Sequence, residues 1–359
     1  MNILTLPSAR EEAWRWADLS ALPALATASH GAAPVEPLFL DCGGPRLVFV
    51  DGVLDAARST LDGIAIGPVA TRTAHPLASL VTGDGWTLDL ARDRSPAATI
   101  EIVHIGTAGA SHLPARIALA DGAQASIVET FVGAGWANRL TTITLGAGAR
   151  LMRSIRLQQG DGFVSLRDEA ELGAGASLVS VTLGAGAADS RIDAHVVLAG
   201  VDAYAEVGGA LLARGRQRQE AAVVLRHAAT GGQSRQTWRA VAADQAIASL
   251  AARIEVARDA QKTDGEQSLR GLLMQRTATI NLKPELEIFA DDVKCAHGAT
   301  VGELDKQALF YAQSRGIPRD RAEALLTRAF VADALSRIGE AAVREAFEAD
   351  AETWLGGVL

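Results

Sequence analysis

From about residue 91 to residue 300 the chain alternates apolar and polar positions in short runs broken by Gly and Asp. In Ser177–Leu183, residues Ser177, Val179, Val181 and Leu183 fall on one face and Leu178, Ser180 and Thr182 on the other, the period of a β-strand. The runs recur. LGAGARL opens at Leu145, LGAGASL at Leu172 and LGAGAAD at Leu183, with weaker copies at Leu119, Leu198 and Leu225. With Leu183 set aside, the starts at 119, 145, 172, 198 and 225 lie 26 or 27 residues apart. No LxxLxL pattern accompanies them. A steady period with short strands and Gly turns predicts a mainly β, stacked solenoid with one period per coil. Leu183 then marks a second strand and turn within a period. Each inward Val or Leu contributes roughly 1.5–3 kcal/mol on full burial. One coil cannot bury its own faces, so several must stack before any is stable.

The flanks have another texture. Ser8 and Glu11 form a capping-box pattern ahead of a helix predicted over Arg10–Leu19, carrying Trp14 and Trp16. Pro23, Pro34 and Pro37 make 23–45 loop-rich, and Leu47–Val50 before Asp51-Gly52 reads as a strand and turn. Asp305 is placed to cap a helix through Leu309, Phe310 and Tyr311 that ends near Gly316. Pro318 suits the first turn of the next helix, where Val331, Leu335 and Ile338 share a face. Glu340–Leu355 reads as a last helix with Val343, Phe347 and Trp354. The expected division is a mixed N-terminal region over 1–90, a solenoid over 91–303 and a helical region over 304–359. Those helices can cap the last coil's edge or dock a partner, and spacing alone favours the cap.

Composition narrows the function classes. With 48% hydrophobic but only 4% aromatic residues, the core must be thin layers of Ala, Val, Leu and Ile. A formal charge of −8 argues against a dominant nucleic-acid or anionic-membrane role. No apolar run approaches the roughly 18 residues of a membrane span, and no charged-then-apolar leader is visible, so a cytoplasmic protein is expected. Cys42 and Cys295 are far apart and no CxxC occurs; Cys42 reads as a small apolar filler. A conventional iron–sulfur site needs about four thiolate-type ligands, which this chain alone cannot present. The GxG elements lack a following Lys-Ser/Thr and recur with the repeat, so they read as turns rather than phosphate loops. Arg214–Arg218 reads as a solvated turn. His104, His112, His195 and His227 have no recurrent partner at ligand spacing and read as satisfied or exposed. Glu169, Glu171 and Asp189 do not recur at one coil position, as the carboxylates of a carbohydrate-active groove would.

One stretch carries candidate chemistry: Lys283–Asp305, KPELEIFADDVKCAHGATVGELD. Cys295 and His297 share parity, so a strand would set them on one face, about 6–7 Å apart. A thiolate beside an imidazole is half of a soft-metal site; a buried Cys beside a surface His is the alternative. This stretch and its continuation QALFYAQSRGI (Gln307–Ile317) closely resemble the signature of the SufD family of iron–sulfur cluster assembly scaffold subunits. PSAREEAWRWADL at the N-terminus and GEQSLRGLLMQ at Gly265–Gln275 are similar to further family segments. The sister SufB family usually has Glu after the Cys-x-His, where this chain has Gly298.

The resemblance implies a right-handed parallel β-helix and a non-catalytic role. It implies pairing with a SufB-like subunit through the β-helices and with a SufC-like ABC-type ATPase through the C-terminal helices, around Leu309, Phe310, Tyr311, Arg315, Gly316 and Ile317. It implies a transient iron–sulfur cluster at the interface with the partner subunit, with His297 and then Cys295 as metal-ligand candidates. No cofactor is expected to be held stably by the isolated chain, and homodimers are possible when it is alone. The chain is shorter than many members and unusually rich in Ala and Gly, which leaves the coil count open. The competing readings are a β-helix carbohydrate-active enzyme and a purely structural solenoid.

Overall fold

The computed structural model describes residues 4–31 and 35–358. Pro34 and its expected loop neighbours therefore lie outside the described residues. The helix expected over Arg10–Leu19 is reduced to a single 3-10 turn at Glu12–Trp14. Half of the capping box forms: the Ser8 backbone N–H donates to Glu11 at 2.9 Å. The segment is held by tertiary contacts instead, with Trp14 buried beneath the Arg191 guanidinium at 3.8 Å. The first α-helix, α1 (Leu22–Thr27), starts at Pro23's turn, where Pro is tolerated because the first helical N–H groups have no partner anyway.

Strands β1 (Gly43–Val50), β2 (Val53–Leu54), β3 (Ile64–Pro68) and β4 (Asp84–Leu90) come next. Asp51 and Gly52 both adopt positive φ (48° and 83°), the tight turn their sequence predicts between β1 and β2. Two long strands follow, β5 (Thr99–Leu119) and β6 (Gln124–Leu145), each running through both walls of the solenoid. β6 passes between the walls at Gly133 and Gly135, whose φ values of 87° and 99° a side chain would strain, and the β5 register shifts alongside, between Thr107 and Ala110. The coil then repeats as β7 (Arg150–Leu157), β8 (Phe163–Leu172), β9 (Ser177–Gly184), β10 (Asp189–Leu198), β11 (Tyr204–Ala213), β12 (Arg218–His227) and β13 (Gln233–Ala242). It closes with β14 (Ile247–Val256), β15 (Asp264–Leu273), β16 (Thr279–Ile288) and β17 (Lys294–Gly302). Even strands from β6 to β16 pair in parallel as one wall, which the second half of β5 and then β4 continue, and odd strands from β7 to β17 form the other, giving a parallel β-solenoid of about 7 turns. Parallel pairing starts before residue 91, since β1 and β4 both pair with β5.

The ladder shows what the repeats encode. Leu119, Leu145, Leu172 and Leu198 stack in direct register, and Leu183 lies in the opposite wall. The copy at Leu225 is out of step: it pairs with Val196, and the residue stacked on Leu198 is His227. The coil lengthens here. Aligned positions Ala115, Thr141, Asp168 and Ala194 follow the sequence period, whereas Val223, Ala252 and Pro284 come later by longer intervals. Added turn residues absorb the difference while the strands keep their length.

The lumen is one continuous apolar core that includes Ile127, Leu151, Leu178, Leu211 and Leu269. The face carrying Val179, Val181 and Leu183 points outward and is covered by the C-terminal helices α2 (Lys306–Ser314), α3 (Arg319–Leu335) and α4 (Ala341–Gly356), of which α3 and α4 supply the cover. Val331, Leu335, Ile338, Val343, Phe347 and Trp354 pack there against Ala210, Leu212, Val241 and Leu272. Arg156 holds Asp350 through two bonds (2.7 and 2.9 Å), and Arg337 reaches Glu206 at 3.0 Å. The expectation of an end cap is thereby corrected. Several levels of the odd-numbered wall are apolar on both faces, so their outer face must be covered, and the helices lie along the flank.

Candidate functional site

Parallel in-register pairing keeps partnered residues on the same face of a sheet. Gly265, Gln267, Leu269 and Gly271 of β15 point into the lumen, and they pair with Cys295, His297, Ala299 and Val301 of β17. The expected shared face of Cys295 and His297 is therefore the inward face of the last coil. Opposite them, Ile280, Leu282, Pro284, Leu286 and Ile288 of β16 continue the inward columns of β14. Nothing stacks on this level among the described residues: β16 pairs with β14 alone and β17 with β15 alone. Residues that are buried one coil lower are thus open here. His297, Ala299 and Val301 are exposed and Leu282 and Leu286 half-buried.

The two donors differ. Cys295 packs beside Ile254, Val256 and Ala290, and burial raises its thiol above the ordinary range, so it sits as a thiol that a metal must deprotonate. His297 stands exposed on the same side, two residues further along the strand. No group of three or more His, Cys, Asp or Glu side chains is gathered for a metal among the described residues, so the pair is at most half of a ligand set. Cys42 lies far away beside the helix-covered core, its thiol pushed up to about 11 chiefly by burial and by the nearby Glu101.

The C-terminal residues form a second surface. Asp305 caps α2 by accepting from the N–H groups of Gln307 and Ala308. No residue of α2 is buried; Phe310 and Tyr311 are 72% and 60% exposed, with Arg315 stacked over the Tyr311 ring. Gly316 ends the helix with φ 84°, and Leu309 and Ile317 are half-buried. An exposed aromatic pair on a helix whose neighbours α3 and α4 are packed down is a surface available to a partner.

The other candidates disperse. His104 bonds Glu129 (3.1 Å) inside the lumen, His227 bonds Ser234 (2.8 Å), and His112 bonds Asn138 (3.0 Å). Glu169 is engaged by Thr73 and Arg167, while Asp189 accepts from the Arg218 N–H on another strand. Arg214–Arg218 does form a coil turn, with Gly215 at φ 66°. What sequence reasoning missed is Gln267, buried directly beneath His297. Its signal was the shared inward parity of β15 and β17, visible only once the longer C-terminal period is known.

Comparison with known proteins agrees with this architecture. The family described as SUF system FeS cluster assembly, SufBD core domain, matches residues 104–330. The iron–sulfur cluster assembly protein SufD of Escherichia coli is 29% identical over 361 aligned residues, covering 91% of this chain and 84% of that protein. An iron–sulfur cluster assembly SufBD family protein of Mycobacterium tuberculosis is 26% identical, covering 98% and 90%. The SufD protein of Bacillus subtilis is 28% identical over a shorter stretch, 39% of this chain and 32% of that protein. The family match spans most of the solenoid and continues through α2 into α3, and it takes in the open coil with Cys295 and His297; the chain belongs to the SufD family of iron–sulfur cluster assembly proteins.

Proposed function

We propose that this chain is a scaffold subunit whose open last coil is one half of a cluster-building interface. The carrying observation is the pairing of an uncovered inward face with an incomplete donor set, Cys295 and His297. A SufB-like subunit stacked on the edges of β16 and β17 supplies the remaining ligands and covers Ile280, Leu282 and Val301. Edge strands with unpaired N–H and C=O groups suit such an addition. The nascent iron–sulfur cluster is cargo. His297 offers a neutral ring nitrogen, and Cys295 gives up its proton on ligation. The exposed α2 surface, centred on Phe310 and Tyr311, docks a SufC-like ATPase, whose hydrolysis cycle drives the opening of the interface. The chain itself carries no catalysis in this scheme.

Reconstitution with SufB-like and SufC-like subunits tests both surfaces. His297→Ala is expected to leave the complex assembled and reduce cluster formation, followed by visible absorbance, by at least about ten-fold. Phe310→Ala with Tyr311→Ala is expected to release the ATPase subunit while pairing through the β-helix persists. Normal cluster yield with His297→Ala would remove the site assignment, and retained ATPase binding by the double variant would remove the docking one.

A further inference from the structure

Gln267 lies on β15, one coil beneath His297, and the parallel ladder pairs the two directly. Their side chains share the inward face of strands about 4.8 Å apart. Gln267 is 1% exposed, and neither Oε1 nor Nε2 has a hydrogen-bond partner among the described residues. A buried amide with both polar atoms unpaired is costly, and an apolar side chain of similar size would avoid the cost. Apart from Gln236 one coil lower, the surrounding lumen is apolar. Its own level holds Gly265, Leu269 and Gly271, and the facing wall presents Leu250, Ala252 and Ile254. Gln236 donates through Nε2 to the Arg253 carbonyl at 3.0 Å and leaves only its Oε1 without a partner, whereas Gln267 leaves both polar atoms unpaired. The one polar side chain that the register sets beside Gln267 on the open side is the imidazole of His297.

A ligating histidine needs its second ring nitrogen protonated and bonded to an acceptor, which fixes both tautomer and ring orientation. We infer that Gln267 is the positioning residue for His297. Its Oε1 accepts the ring N–H, and the other ring nitrogen then turns its lone pair toward the open face. This rests on the reading of that face as a ligating surface. It gives the buried amide oxygen a partner and explains why the lumen retains a polar side chain at its last closed level.

The test uses the isolated full-length chain with selectively 15N-labelled histidine, at pH 8. Long-range ring correlations report the tautomer, with His297 assigned from a His297→Gln variant. The wild type is expected to show one dominant tautomer, Gln267→Leu the ordinary mixture of a free imidazole, and Gln267→Glu a restored single form. Unchanged His297 ring-nitrogen shifts in Gln267→Leu would overturn the assignment; if that variant does not fold, Gln267→Met takes its place. In the reconstituted complex Gln267→Leu is expected to slow cluster formation about ten-fold and Gln267→Glu to recover most of it. Normal cluster formation with His297→Ala would defeat the functional reading while leaving the tautomer lock intact. An unaltered tautomer in Gln267→Leu defeats only the role of Gln267.

Discussion

The two ends of the solenoid are built on the same coil and finished differently. At the N-terminal end the inward residues Leu47, Phe49, Trp86 and Leu88 are at most 1% exposed. There β1 and β4 carry the antiparallel strands β2 and β3 on their outer edges, which protect the first coil. At the C-terminal end the corresponding inward positions of β17 include the exposed His297, Ala299 and Val301. The polar groups of the lumen differ in degree: in the closed coils single atoms such as His227 Nδ1 and Gln236 Oε1 lack a partner, while the side chains stay anchored through their other polar atoms. In the sealed coils Arg153 reaches both Glu129 (2.6 Å) and Asp168, and Glu129 also bonds His104. At the open end Gln267 has no partner of its own. A closed lumen must satisfy its polar groups internally, whereas an open one can leave that to whatever covers it. Openness at one end is therefore a property of the coil's neighbours and not of the coil.

The sharpest way to break this comparison is to unbalance the sealed end. Arg153→Ala leaves Glu129 and Asp168 buried without their shared cation and is expected to cost about 3–5 kcal/mol, measured by urea unfolding. A cost below about 1 kcal/mol would mean that the sealed lumen tolerates unpaired charge as well as the open end does.

Acid acts on the same groups. Burial first, and Arg139 second, push His104 and His112 down to about 4, and burial pushes His227 to about 4, against an ordinary value of 6.5. Between pH 6.5 and pH 4 the unfolded chain therefore binds protons that the native chain refuses. Stability falls as pH drops through that window, by up to about 3 kcal/mol per histidine. Burial alone would raise Glu129, but Arg153 and His104 outweigh it and hold the carboxyl at about 2, which continues the loss from about pH 4.5 down to pH 2. Glu220, pushed up to about 7 mainly by burial, works in the opposite sense between pH 4.5 and 7 and offsets part of the effect. Thermal melts should show Tm falling from pH 7.5 to pH 4.5; a flat profile would contradict the neutral burial of these histidines. The smallest effect is expected at the other end. His297→Ala in the isolated chain should cost no more than about 1.5 kcal/mol in the same urea assay, the worth of its one bond to Gln267. A cost near that of Arg153→Ala would show that His297 is buried in solution and the end closed.

Much of this was legible along the chain, and the failures have physical causes. Leu145, Leu172 and Leu198 stack where their repeats predict, because a period-two strand and a Gly turn are local instructions. Leu225 misled because the repeat changes length, and turns can gain residues without altering any strand. Arg10–Leu19 carried helix signals yet formed only a 3-10 turn, since Trp14 is placed by its stack on Arg191, a residue on a distant strand. Asp305, Gly316 and Glu340 marked helix ends correctly, but the side of the solenoid that the helices cover was set by Val181, Leu183 and Leu212. Cys295 and His297 were singled out from parity and from the resemblance; Gln267 was not, because a buried glutamine has no distinctive spacing.

By itself the sequence determined the strand period, the solenoid, the helical tail and the parity that places Cys295 beside His297. Each depends on neighbours within one or two turns of chain, where backbone geometry allows few choices. Only the tertiary structure decided that the helices lie on the flank, that the last coil stays open and that one buried amide is left without a partner beneath His297. Those outcomes depend on which surfaces far apart in sequence are pressed together and which are left without cover.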